Sequence, residues 1–352
     1  MEKRILITGI LGQDGANMAE YLLGLGTEAK IYGMMRRTST PNYVNVRSFK
    51  GNPNFELVYG DLTDEVSINE LVKKIRPDYF INFAANSFVG CSWDMPMQVF
   101  DTNSMGIIRC LEAIRKFNPK CRFYSAGSSE EFGNIDYSPQ DMKHPMKPRS
   151  PYGASKCAAH HIVKVYRESY NMFAVHGILF NHEGTKRGEE FVTRKISMGV
   201  ARIKEHLDTS ASIEIPPVIE LGNLDSKRDW SDSEDFVKGV WLMLEQDSPI
   251  DYILASGETH SIREFVEKAF EYIGVSEHAE WRGEAEKEKY VFTGGPYDHT
   301  LVQVNPKFYR PAEVEVLTGD PTDAIEKLGW TPVGSFATLV EKMVRHDIEN
   351  KV

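Results

Sequence analysis

The stretch from Lys3 to Leu25 limits the folds open to this chain more than any other. Residues 3 to 8, Lys-Arg-Ile-Leu-Ile-Thr, form an apolar run of strand length, Gly9, Gly12 and Gly15 follow at three-residue spacing, and a helical pattern then runs through Met18, Tyr21, Leu22 and Leu25. Glycines between a strand and a helix let backbone amides approach a pyrophosphate, whose charge the helix N-terminus favours. The segment therefore predicts a dinucleotide-binding turn made by Gly9, Ile10, Leu11, Gly12, Gln13 and Asp14.

Alternation of strand and helix continues to Phe180, with further strands expected at 30–35, 55–59, 78–83, from Phe123, and at 173–180. That pattern argues an α/β protein: a doubly wound parallel sheet with its ligand at the carboxyl ends of the strands. The second strand ends in Arg36, Arg37, Thr38 and Ser39. Arginines and hydroxyls there suit a 2'-phosphate, where an acidic residue would suit a ribose 2'-hydroxyl, so the expected cofactor is NADP. The third strand stops before Asp61 and Leu62, which can meet an adenine, although Asp61 is equally placed to cap a helix starting near Glu65. The fourth runs through Phe83 into Ala84, Ala85, Asn86 and Ser87, small residues that let a cofactor lie close. A helix from about Val99 to Phe117 is expected to bury Met105, Ile108, Leu111 and Ile114.

Groups able to move protons gather between Phe123 and Lys156. Ser128 and Glu130 follow an apolar strand start, and Tyr152 and Lys156 lie in Ser-Pro-Tyr-Gly-Ala-Ser-Lys. Proline suits the first turn of a helix, so Tyr152 and Lys156, four apart, share one face. A lysine ammonium beside a phenol favours the phenolate and is expected to lower its pKa. A serine hydroxyl can hold the substrate oxygen while the carboxylate two residues on removes a second proton. The polar loop from Asp136 to Ser150 is expected to border the substrate.

Beyond Phe180 the chain turns polar and cationic through Asn181, His182, Arg187 and Lys195, as a diphosphate ligand would require, and Arg228 stands two residues before Trp230, an aromatic read as core. Residues 276–300 are charged and read as irregular, and Gly319-Asp-Pro-Thr322 reads as a turn with a helix start. With 352 residues and 41 % hydrophobic content the chain can bury a full core. A formal charge of -10 argues against nucleic acid, no stretch reaches the length of a membrane span, and the N-terminus does not resemble a signal peptide. A cytoplasmic location is expected. Cys91, Cys110, Cys121 and Cys157 show neither metal spacing nor a disulfide framework, and no metal is expected despite the neighbours His160 and His161.

Together these stretches resemble the extended short-chain dehydrogenase/reductases, which carry a Rossmann fold, and within them the GDP-mannose 4,6-dehydratases. The glycine and tyrosine motifs mark the superfamily. Gly177-Ile-Leu-Phe-Asn-His-Glu183, Arg187-Gly-Glu-Glu-Phe-Val-Thr-Arg-Lys195, Leu221-Gly-Asn-Leu-Asp-Ser-Lys-Arg-Asp-Trp230 and Tyr309-Arg-Pro-Ala-Glu-Val314 mark the narrower family. By that resemblance NADP would meet residues 9–14, Arg36 to Ser39, Asp61, Leu62, Phe83, Ala84, Ala85, Ser87, Tyr152, Lys156, His182 and Arg187. The sugar nucleotide, GDP-mannose, would meet Ser87, Ser128, Glu130, Asn181, Lys195, Leu221, Gly222, Arg228, Arg310 and Glu313. Ser128 matches the family's usual threonine and Glu130 its base. Where the family usually has Ser-Thr-Ser-Glu-Leu-Tyr-Gly, this chain has Gly127-Ser-Ser-Glu-Glu-Phe-Gly133. The resemblance implies a homodimer or homotetramer. It implies a cofactor domain of 1–180 plus about 221–256 and a smaller sugar-nucleotide domain of about 181–220 plus 257–352. A reductase or epimerase of a 4-keto-6-deoxy sugar nucleotide, or a dehydratase of another nucleotide sugar, remains open, as does, remotely, a non-catalytic NADP-sensing regulator.

Overall fold

The computed structural model describes residues 2–26, 28–209, 216–295, 297–309 and 316–351. Seven strands form the main sheet: β1 (Lys3–Thr8), β2 (Ala29–Met35), β3 (Phe55–Tyr59), β4 (Tyr79–Asn82), β5 (Arg122–Ala126), β6 (Ala174–Leu179) and β7 (Tyr252–Leu254). Their order is β7-β6-β5-β4-β1-β2-β3, and every pairing is parallel. Parallel strands need crossovers, and the helices that supply them cover both faces: α1 (Gln13–Gly24) and α6 (Ser233–Glu245) on one, α2 (Glu65–Ile75), α3 (Gly106–Phe117) and α4 (Pro151–Tyr170) on the other. The strand order reverses direction between β1 and β4, which opens a crevice at their carboxyl ends. There the Thr8 hydroxyl donates to Asn82 Oδ1 at 2.6 Å and accepts from the Ala84 N–H at 3.1 Å, so the two strand ends are tied just where the glycine turn begins.

A second core is built on α5 (Val192–Thr209), α7 (Ile262–Tyr272) and α8 (Phe336–Glu349), together with a sheet of Ala279–Arg282, Lys289–Phe292, His299–Val304 and Ile219–Leu221. Segment 276–300, expected to be irregular, thus contains strands. Its charges alternate with Trp281 and Tyr290, whose rings meet at 4.8 Å on the inner face, so the exposed half of each strand hides the period of two. Leu221, Leu224 and Trp230 lie in this second core, whereas Ala324, Leu328 and Trp330 return to the first.

On α3 the buried positions are Gly106, Ile107, Cys110, Leu111, Ala113 and Ile114, while Ile108 is half-buried and Met105, just before the helix, is exposed. The expected set stepped by three residues, and each such step falls about 60° short of a full turn, so its members spread over about half the circumference. The four cysteines are free, and all but Cys91 are buried. Among the described residues no helix is long and apolar enough to cross a membrane.

Candidate active site

The strand ends and the second core enclose a cleft of about 2140 Å³. One small-molecule ligand needs about 300–1,000 Å³, so the cleft has room for two of nucleotide size.

Its floor is the glycine turn. Gly9 has φ +67, and a Cβ there would stand 2.8 Å from the Ala84 backbone nitrogen; one at Gly15 would stand 2.4 Å from the Gly9 carbonyl oxygen. Side chains would fill the approach that a diphosphate needs. Gln13 donates to Asp14 Oδ1 at 3.1 Å and to the His182 carbonyl at 3.0 Å, and Asp14 Oδ2 pairs with His182 Nε2 at 3.1 Å. Burial works to raise the Asp14 carboxyl but is outweighed by His182, whose cation Asp14 favours in turn. Gln13 Oε1, Asn86 Nδ2 and Ser226 Oγ line the cleft buried and without a hydrogen-bond partner among the described residues. Unpaired buried polar atoms facing a cavity mark where a polar ligand completes the structure. A dinucleotide therefore fits this cradle.

Ile10, Leu11, Gly12, Arg36, Thr38, Asp61, Leu62, Phe83, Ala84, Ala85 and Ser87 line the same cleft. Arg37 and Ser39 do not: in the extended segment after β2 alternate residues face opposite ways, and both lie exposed on the outside. Asp61 does not cap α2. Its carboxylate accepts from the Thr63 N–H at 2.9 Å and hydroxyl at 2.8 Å, and Asp64 is the cap, accepting from Val66 N–H at 3.0 Å. Asn45 and Arg47, which the sequence did not single out, also line the cleft; Asn45 Nδ2 bridges the Leu11 and Lys186 carbonyls at 3.0 and 3.1 Å.

The proton-moving groups meet at the ends of β5 and α4. Ser150 caps α4 by accepting from Gly153 N–H at 3.0 Å, with Pro151 in the first turn, which presents Tyr152 and Lys156 to the cleft. The Ser128 hydroxyl stands beside the Tyr152 phenol and works to lower its pKa. Lys156 Nζ donates to the Ala126 carbonyl at 2.7 Å and lies 5.8 Å from the Tyr152 ring centroid. Burial pushes the Tyr152 phenol up rather than down, and only Ser128 and Arg187 work against it. The expected lowering by Lys156 is not seen: the strongest influences on the phenol are burial, Ser128 and the Glu130 and Glu131 carboxylates, and the ammonium is directed at the Ala126 carbonyl. Burial brings Lys156 itself down to about 8, although Glu131 and Asp14 favour its cation. Glu130 is buried beside Tyr152 and lines the cleft.

On the opposite wall stand Asn181, Arg187, Lys195, Leu221, Gly222 and Arg228. Arg187 lies over the Phe191 ring at 3.6 Å with Nε 3.0 Å from Glu183, and Lys195 Nζ lies 3.6 Å from the Phe308 ring centroid. Trp230 is core as read, 3 % exposed and packed on Phe265 and Phe336. Arg310 and Glu313 lie outside the described residues. Loop 136–150 contributes nothing to the lining. Gln140 instead pairs with the backbone of 318–320, and His144 packs on Phe132, so the loop's length closes the back of β6 and β7 and carries α4 into place.

Comparison with known proteins agrees with this geometry. The family model described as GDP-mannose 4,6 dehydratase matches residues 6–343. A Homo sapiens GDP-mannose 4,6 dehydratase is 43 % identical over 352 residues, covering 98 % of this chain and 91 % of that protein. Among solved structures, a dTDP-glucose 4,6-dehydratase from Bacillus anthracis in complex with NAD superposes with TM-score 0.79 at 20 % identity, over 99 % of this chain and 97 % of that one. The RMD protein of Pseudomonas aeruginosa, complexed with NADPH, gives 0.73 at 20 % identity, over 99 % of each chain.

Proposed function

This chain belongs to the GDP-mannose 4,6-dehydratase family and is a nucleotide-sugar 4,6-dehydratase, a hydro-lyase; we propose that it converts GDP-D-mannose to GDP-4-keto-6-deoxy-D-mannose and water, with NADP as its recycled cofactor. The observation that carries this reading is the convergence, in a cleft wide enough for two nucleotides, of a tyrosine with a serine hydroxyl beside it, a lysine, a carboxylate and a glycine cradle.

In this reading residues 9–15 and the Asp14–His182 pair hold the cofactor, and Arg36 and Thr38, which face the cleft at the end of β2, meet its 2'-phosphate. A nicotinamide held there would supply a reversible hydride acceptor between sugar C4 and C6. Tyr152 removes the O4 proton, and Lys156 is the cation available to the phenolate. Ser128, beside Tyr152, holds the oxygen that becomes the ketone. The ketone acidifies C5–H; Glu130 removes that proton and delivers one to the departing C6 hydroxyl, and C5 regains a proton once C6 is reduced, which balances the one Tyr152 took from O4 and returns both groups to their starting state. Lys195 and Arg228 meet the diphosphate, with Asn181, Leu221 and Gly222 beside it. In the main, residues 1–180 with about 221–256 serve the cofactor and about 181–220 with 257–352 the sugar nucleotide, with His182 crossing to the cofactor and Leu221, Gly222 and Arg228 to the sugar nucleotide.

Incubation with GDP-mannose deuterated at C4 tests the reading. The expected product is a 4-keto sugar carrying deuterium at C6, with no net change in absorbance of the reduced cofactor. Stoichiometric oxidation of added NADPH without elimination would replace the dehydratase with a reductase.

A further inference from the structure

Directly beneath the catalytic groups lies a buried polar cluster to which the mechanism assigns no task. Glu131 closes the short turn after β5, with its side chain fully buried. Its Oε1 accepts from the Ser128 N–H at 2.8 Å and faces His176 Nε2 at 3.0 Å; its Oε2 faces His160 Nδ1 at 3.2 Å. His160 sits on α4 one turn beyond Lys156, and its Nε2 stands 3.6 Å from Asp251 Oδ2. Arg167 clamps Asp251 through two bonds of 2.7 Å. Asp251 Oδ1 also accepts from the His176 N–H at 2.7 Å. The two imidazoles stack at 4.6 Å and 20°.

These contacts fix the charges. Both His160 nitrogens meet carboxylate oxygens, so it is an imidazolium, which Asp251 and Glu131 favour over the opposing effect of burial. Nε2 of His176 donates to Glu131, and its Nδ1 accepts from the Ser125 hydroxyl at 3.2 Å, so burial leaves this ring neutral. Glu131, His160, Asp251 and Arg167 then sum to zero. Although Glu131, His160 and His176 have the spacing of metal ligands, every one of those atoms already has a partner in the cluster.

A buried carboxylate is costly unless fully paired, and such groups are retained where they specify an arrangement. Here the arrangement is the backbone of Ser128. A Cβ on the preceding Gly127 would stand 2.3 Å from His176 Nε2 and 2.7 Å from Glu131 Oε1, so the chain lies flush against the pair, and the next N–H is anchored by the carboxylate. The hydroxyl carried by that backbone is the one beside the Tyr152 phenol, and it accepts from the Glu130 N–H at 3.3 Å. We propose that Glu131, clamped between His160 and His176, is a positioning residue that holds Ser128 in register with Tyr152. This rests on the catalytic reading of Ser128 given above.

A double-mutant cycle tests it, with kcat and KM for GDP-mannose measured on cofactor-loaded protein. Glu131→Gln is expected to lower kcat by about 10-fold with KM changed by less than about 2-fold. In a Ser128→Ala background the same change is expected to cost less than about 2-fold, since no hydroxyl is left to position. Losses that multiply across the two sites, or an unchanged kcat in Glu131→Gln, would overturn the proposal. If Glu131→Gln does not fold, His160→Gln takes its place in the cycle under the same criteria. A Ser128→Ala enzyme at full rate would remove the catalytic reading of Ser128, and the proposal with it.

Discussion

Glu131 and His160 bound one pH window from opposite sides. Burial works to raise the Glu131 carboxyl, but His176 and His160 bring it from 4.5 to about 2, so its stabilisation is complete above 4.5 and is lost as pH falls through 2. His160 is raised from 6.5 to about 9, so its stabilisation is complete below 6.5 and is lost as pH rises through 9. Lys156, lowered by burial to about 8, runs the other way, since its cation costs the folded state most at lower pH. The difference between wild type and His160→Gln isolates the histidine. Thermal melts should show the wild type losing on the order of 1–3 kcal/mol more than the variant between pH 6.5 and 9.5. Parallel curves would deny His160 its charge. Ser128, Glu130, Tyr152 and Lys156 were legible in the sequence because each pair sits within one short motif. The Glu131 cluster was not, because its members come from β5, α4, β6 and the start of β7, and only folding brings them together.

The glycine turn and α1 offer a matched pair of substitutions. At Gly15 a methyl would press on the Gly9 backbone, whereas at Gly24, the last residue of α1, it would meet nothing within 4 Å. Gly15→Ala should weaken NADP binding by at least about 10-fold in a fluorescence titration, by displacing the turn that the ligand approaches. Gly24→Ala should leave binding unchanged and stabilise the fold by about 0.4–1 kcal/mol, by restricting the unfolded chain. Equal affinity in both variants would deny the turn its role. Six of the seven parallel strands could be read from the sequence because each is a short apolar run bounded by turn residues and followed by a helical pattern, as a sheet covered on both faces requires. The strands within 276–300 could not, because one face of that sheet is charged and solvated. Tertiary contacts, not composition, reveal them.

Asp229 joins the two cores. Fully buried, it accepts from Ser256 N–H and hydroxyl at 2.8 and 2.6 Å, from Gly257 N–H at 2.9 Å and from Gly319 N–H at 3.2 Å. It thereby pins the strand that carries Arg228 to the end of β7 and to the C-terminal segment. Asp229→Ala strips those donors of their acceptor and should cost about 2–4 kcal/mol in denaturant melts, with a raised KM for GDP-mannose. A raised KM without lost stability would confine Asp229 to the binding wall. The last crossing of the chain between cores was hidden in the sequence, since Leu328 and Trp330 complete the first core from between two stretches of the second. That crossing bears on how such enzymes can be recombined. A chimera that joins one enzyme's N-terminal part to another's C-terminal part at a single junction near the middle of the chain would split the first hydrophobic interior between parents, and beyond residue 196 the second as well. Specificity would have to be transplanted as several separate inserts, each returning the chain to the interior it left.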